Sequence, residues 1–111
     1  MTHSLTITQV PGMLVVRAGG AVLAETAAGL EATGTDEPSR WLPLAEAGLF
    51  LDPTSEMRDI PGIGGARAYD IIAKSGPILR AAWAVETPAP GAEALAGHVT
   101  FDETRVAVEQ L

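Results

Sequence analysis

Glycine and proline punctuation constrains this chain more than any other feature. Twelve glycines and eight prolines divide 111 residues into short apolar runs, and two of the breaks are hairpin signals. Gly19-Gly20 separates Met13–Arg17 from Ala21–Thr26, and such a pair supplies the positive φ angles of a two-residue β-turn. Ser75-Gly76-Pro77 separates Ala66–Lys74 from Ile78–Glu86, whose tyrosine and isoleucines favour strands.

The remaining segments read the same way. Leu5, Ile7 and Gln9 alternate with Thr6 and Thr8, the pattern of a half-buried strand. Leu30–Thr33 continues as a short strand, and Gly34–Ser39 is a loop by composition. Trp41-Leu42-Pro43-Leu44 is extended, because proline biases its predecessor toward β. Leu44–Ala47 suits one helical turn, and Leu49-Phe50-Leu51 a strand ending at Asp52-Pro53. Ala92–Leu95 suits a short helix, with strands at Val99–Phe101 and Arg105–Glu109 around Asp102-Glu103-Thr104. The expected fold is a single, mainly β domain over residues 1–111. Its architecture is an antiparallel sandwich or open barrel with one or two short helical turns.

Size and charge narrow the function classes. A chain of this length buries roughly 60–70% of its unfolded surface without staples, and 47% hydrophobic residues suit an ordered core. There is no cysteine, which excludes disulfides, thiolate zinc sites and thiol nucleophiles. No apolar run approaches the roughly 20 residues of a membrane-spanning helix, and the first residues lack a signal-peptide pattern. A membrane role is not expected, and the default compartment is the cytoplasm. The alanine excess and six arginines against one lysine point to a GC-rich bacterial source. The formal net charge of −7, with Arg17, Arg40, Arg58, Arg67, Lys74, Arg80 and Arg105 scattered among acids, disfavours nucleic acid as a partner. It reads as a solubility charge.

Residues 60–72 support one contrary reading. Ile60-Pro61-Gly62-Ile63-Gly64-Gly65-Ala66 followed by Ala68, Ile71 and Ile72 resembles a helix-hairpin-helix element. Its helices would be Thr54–Asp59 and Ala66–Lys74, with glycine amides holding a phosphate. The alternative is that the glycines turn a loop before a strand. The overall acidity and the β-rich flanks favour a strand over Ala66–Lys74.

Ordered motifs from about Val15 to Val108 carry a second resemblance. A hairpin over Val16–Glu25 ends in Ala24-Glu25-Thr26, followed by Trp41-Leu42-Pro43 and then by Pro61, Gly64, Ala66 and Tyr69. Ala82-Trp83, Pro88, Ala96-Gly97-His98-Val99 and Phe101 complete the series. Together these resemble the family known as domain of unknown function 427. The resemblance implies a β-tent-like fold, two small antiparallel sheets packed at roughly a right angle. Methionine sulfoxide reductase B and the cereblon drug-binding domain share that architecture. It supplies no established reaction. The chain departs from the family pattern where relatives carry Arg, Cys and Lys, having Leu44, Ile60 and Ile63 instead. Ile63 and Leu44 in place of the anion-binding Lys and Arg make the implied site more apolar and put any family activity in doubt.

The candidate site residues are Trp41, Tyr69, Trp83, His98 and Glu46. Three aromatics in the family-like motifs could wall a small-ligand cleft, or could be ordinary core residues. His98 could serve acid–base chemistry with Glu46 or Asp102, or could simply bond a loop backbone. His3, near the start of the chain, carries little information. The acids Asp52, Glu56, Asp59 and Asp70 flank the glycine-rich loop without calcium-loop spacing, so no metal and no cofactor is implied. Ser4, Ser39, Ser55 and Ser75 lack the context of an activated nucleophile, and no catalytic residue is assigned. A small-ligand-binding domain is the leading reading. An enzyme using His98 and a self-associating or protein-binding module with an exposed sheet edge are the alternatives.

Overall fold

The computed structural model describes residues 5–34 and 37–111. His3, Ser4 and the centre of the expected 34–39 loop lie outside the described residues. Among the described residues, ten strands form two antiparallel sheets. They are β1 (Thr6–Gln9), β2 (Leu14–Ala18), β3 (Ala21–Thr26), β4 (Leu30–Thr33) and β5 (Ser39–Pro43), then β6 (Leu51–Ile60), β7 (Gly64–Ala73), β8 (Gly76–Pro88), β9 (His98–Phe101) and β10 (Ala107–Gln110). The large sheet has the order β1-β4-β5-β9-β8-β7-β6, and the small one β10-β2-β3. One helical turn, α1 (Leu44–Ala47), and 3-10 turns at Gly48–Phe50 and Glu93–Leu95 are the remaining elements among the described residues. The expected mainly β, two-sheet architecture is therefore present, with the sheets unequal in width.

Both expected hairpins form. Gly19 and Gly20 have φ of 58° and 80° and connect β2 to β3. The β7–β8 hairpin pairs Ala73 with Gly76 at its tip and Gly64 with Pro88 at its base. Residues 60–72 therefore contain no helix, which corrects the helix-hairpin-helix reading. Thr54–Asp59 lies within β6, and Pro61-Gly62-Ile63 is the turn joining β6 to β7. The tyrosine and isoleucines of β7 gain strand partners on both sides, and those pairings override the local glycine-to-helix signal. No helix N-terminus is built there to cradle a phosphate.

Two other expectations shift. Leu49 and Phe50 belong to a 3-10 turn, and the strand begins at Leu51 and continues through Asp52-Pro53 to Ile60. Proline is tolerated there because β6 is an edge strand whose outward N–H needs no partner. The last strand starts at Ala107 rather than Arg105, because Asp102–Arg105 forms a hydrogen-bonded turn with Arg105 N donating to Asp102 O at 3.0 Å. That turn carries the chain from the large sheet to the small one.

Strand alternation gives the large sheet two different faces. Leu42, Ile71, Ala82, Ala84, Val99 and Phe101 face the small sheet, meeting Leu14, Val16, Leu23 and Ala24 in the main core. Bulges explain why neighbours in sequence share that core. Register slips between Val16 and Arg17 opposite Leu23, and between Tyr69 and Ile71 opposite Leu79–Ala81. Arg80, at φ 50°, occupies this second bulge, and its N–H donates to Asp70 Oδ1 at 2.8 Å. On the other face, Ala32, Trp41, Ile63, Val85 and Leu95 make a second cluster, with Leu5, Ile7, Leu30 and Ile60 packed against it.

Candidate functional site

A cleft opens on the face of the large sheet turned away from the small sheet. It measures about 520 Å³ and lies among Trp41, Arg58, Ile60, Ile63, Trp83 and Thr100. Strand register explains the convergence. Leu42 pairs with Val99, so Trp41 falls beside Thr100, and Thr100 pairs with Trp83 across β9 and β8. The same alternation brings Ala68, opposite Trp83, onto this face. Alanine leaves space where a larger side chain would fill the sheet surface.

The two tryptophans are held differently. Trp41 is 1% exposed, and its indole Nε1–H donates to Ser39 Oγ at 2.7 Å. It belongs to the packed floor. Trp83 is half-buried, and the guanidinium carbon of Arg58 sits 4.7 Å from its ring centroid. That distance is within cation–π range. Arg58 itself is exposed on edge strand β6.

The turn after β6 forms the apolar side. Ile63 N donates to Ile60 O at 2.9 Å, and Ala89 N donates to Ile63 O at 2.8 Å, tying the turn to the end of β8. Gly64 is obligatory: its φ is 126°, and an added Cβ would stand 2.3 Å from the Thr87 carbonyl oxygen. The bond to Ala89 and the tight approach of Gly64 to β8 together fix Ile63, fully buried, against the sheet.

The opposite rim is polar and internally satisfied. Asp102 Oδ1 accepts from Thr104 Oγ1 at 2.6 Å and from Thr104 N at 3.0 Å, and Oδ2 accepts from Arg105 Nε at 3.0 Å. The Thr104 bonds, aided by Arg105, hold the Asp102 carboxyl below its ordinary pKa. Glu103 pairs with Arg40 at 2.6 Å. Elsewhere Arg17, Arg67 and Arg80 pair with Glu109, Glu86 and Glu56. The hydrogen bond from Arg67 also lowers the pKa of Glu86. Among the described residues, Arg58 is the arginine with no carboxylate in ion-pair reach.

The five residues singled out from sequence do not meet at one place. Trp41 and Trp83 line the cleft, and Tyr69 does not: it packs against the main core on the other face. Glu46, on α1, accepts from Thr26 Oγ1 at 3.0 Å. His98 pairs with Pro43 at the end of β9, with its Nδ1 3.2 Å from Ala96 O. Among the described residues no carboxylate oxygen lies within 4.0 Å of its ring nitrogens, and three or more potential metal ligands are nowhere clustered. The backbone-bonding alternative describes His98 here.

The sequence offers no site signal for Arg58, Ile60 or Thr100, whereas the family resemblance already implies Ile63. Arg58 was hidden because Thr54–Asp59 had no strand assignment. Once β6 is a strand, its register of Arg58 with Ala66 places it beside the Ala66–Val85 pair on the cleft side. Three motif segments quoted for the family resemblance meet at this cleft: Trp41, the Ile60–Ile63 turn and Trp83. No helix among the described residues is long and apolar enough to cross a membrane. Comparison with curated proteins finds no match. The model of one family matches residues 6–110, nearly the whole chain, and the protein therefore belongs to the family described as Domain of unknown function (DUF427).

Proposed function

We propose that this domain binds a small molecule in the cleft between Trp83, Arg58 and the Ile60–Ile63 turn, with Trp41 in its floor. The observation that carries the reading is the convergence of residues from β5, β6, β8 and β9 on one recess of about 520 Å³. That size falls within the roughly 300–1,000 Å³ range of small-ligand sites, which pair apolar walls with a few polar groups. Thr100 and Arg58 are such groups here. The recess is held open by architecture, since the Gly64 approach and the Asp102 turn fix both sides.

Tryptophan fluorescence titrated with nucleosides, cyclic imides and small organic acids tests this reading. A saturable change that disappears in Trp83→Ala supports it. Silence from every class at millimolar concentration contradicts it.

Self-association through a second copy has a separate observation behind it. Leu49 is 84% exposed and Ile72 48%, and the ladder of edge strand β6 with β7 begins between them, where Leu51 pairs with Ile71. Light scattering across a hundredfold concentration range decides this point: a constant monomer mass removes it.

A further inference from the structure

We infer that the cleft selects a planar apolar ligand bearing a single carboxylate, and that Arg58 reads that carboxylate. The inference rests on the cleft reading above and deepens it.

A guanidinium has an apolar π-face and five N–H donors in its plane. The guanidinium carbon lies over the Trp83 ring at 4.7 Å from its centroid, a contact that needs none of the N–H donors. Among the described residues, no hydrogen bond or ion pair engages the Arg58 side chain, although the other five arginines each hold a carboxylate. In a chain of net charge −7, an arginine left without a carboxylate beside a tryptophan-walled recess is a cation set apart from the general pairing. The contact with Trp83 holds the guanidinium at the recess, where its N–H fork can meet an incoming carboxylate bidentately.

The rest of the lining sets the class of ligand. Ile60, Pro61, Ile63 and the Trp83 ring offer flat apolar walls, and Trp41 spends its only donor on Ser39. The polar rim carries Asp102, whose lowered pKa keeps it ionised at neutral pH, and Glu103. Both are paired, so neither attracts a ligand cation as a free carboxylate would. They still disfavour a second negative charge in the recess. One anionic group is therefore favoured and two are not, which selects a carboxylate over a phosphate dianion.

Three isosteric probes test this: 2-naphthoate, 2-naphthylmethanol and 2-naphthyl phosphate, titrated against the full chain while the two tryptophan indole N–H resonances are followed. The expected result is saturable binding of naphthoate about fivefold tighter than the alcohol, as suits an exposed charged pair. The phosphate is expected to bind more weakly than the naphthoate. The preference should shrink as salt rises, because Arg58 is exposed. Arg58→Gln should abolish the preference for naphthoate over the alcohol, and Arg58→Lys should restore part of the difference. A superimposable far-ultraviolet spectrum and melt for both variants keep the comparison interpretable. Equal affinity for naphthoate and alcohol, or a carboxylate preference that survives Arg58→Gln, overturns the role of Arg58 while leaving the cleft standing. A phosphate bound more tightly than the naphthoate overturns the single-charge selection. No indole shift with any probe overturns the cleft reading itself.

Discussion

The two faces of the seven-stranded sheet are built from the same strands yet reach different ends. Facing the small sheet, Leu42, Val99, Ala82, Ala84 and Ile71 are closed over by β2 and β3, and the result is dry packing. On the reverse face, Trp41, Thr100, Trp83 and Ala68 come from alternate positions of the same strands, but turns rather than a sheet cover them. A second sheet can match every apolar side chain along a strand; a turn such as Ile60–Gly64 covers only what it reaches. The uncovered remainder is the cleft. Stability should therefore be concentrated on one face and ligand binding on the other.

Substitutions can break that division. Leu42→Ala removes a fully buried side chain between the sheets and should cost about 2–5 kcal/mol in denaturant unfolding. Gly64→Ala should follow at about 2–3 kcal/mol, because it forces a residue with a Cβ into positive φ and against the Thr87 carbonyl. Trp83→Ala should cost less than Leu42→Ala despite deleting more atoms, since the ring is only half-buried. Equal losses from Trp83→Ala and Leu42→Ala would contradict the contrast between the faces.

Smaller effects sharpen it. Asp102→Asn should destabilise by about 1 kcal/mol at neutral pH by weakening the Thr104 and Arg105 bonds. The Asp102 carboxyl is held below its ordinary value of 3.8 in the folded state. Its contribution is therefore fully present above that value and is lost as pH falls through the lower folded value. The gap between native and Asp102→Asn stabilities should accordingly narrow in acid. A gap that widens below pH 3.8 would reverse the assigned sign. Smallest of all, Arg58→Gln should change stability by about 0.5 kcal/mol or less, because the side chain is exposed and held mainly by its stack on Trp83.

Local signals made much of the fold legible. Gly19-Gly20 and Ser75-Gly76 announce their hairpins because turn chemistry is decided within a few residues. Leu5 and Ile7 reveal a half-buried face by alternation. β6 was not legible: Pro53, the bulge around Thr54–Glu56 and four charged residues obscure any period of two, and its strand character comes from pairing with β7. The site followed the same rule. Trp41 and Trp83 could be named as aromatics in motifs, but the separation of Tyr69 onto the opposite face depends on register and bulges that no local pattern encodes. Glu46 and His98 lie near family-like motifs and carry suitable chemistry, but local sequence does not reveal that Thr26 and the Ala96 carbonyl are their partners.

An amide and indole chemical-shift map of the full chain, recorded with a saturating panel of neutral and carboxylate-bearing planar fragments, tests the central claim most directly. The account predicts shifts at Trp83, Arg58, Ile60, Ile63 and Thr100, with Tyr69, His98 and Glu46 unmoved. Shifts gathered at Tyr69, His98 or Glu46, with the Trp83 indole unmoved, would contradict it.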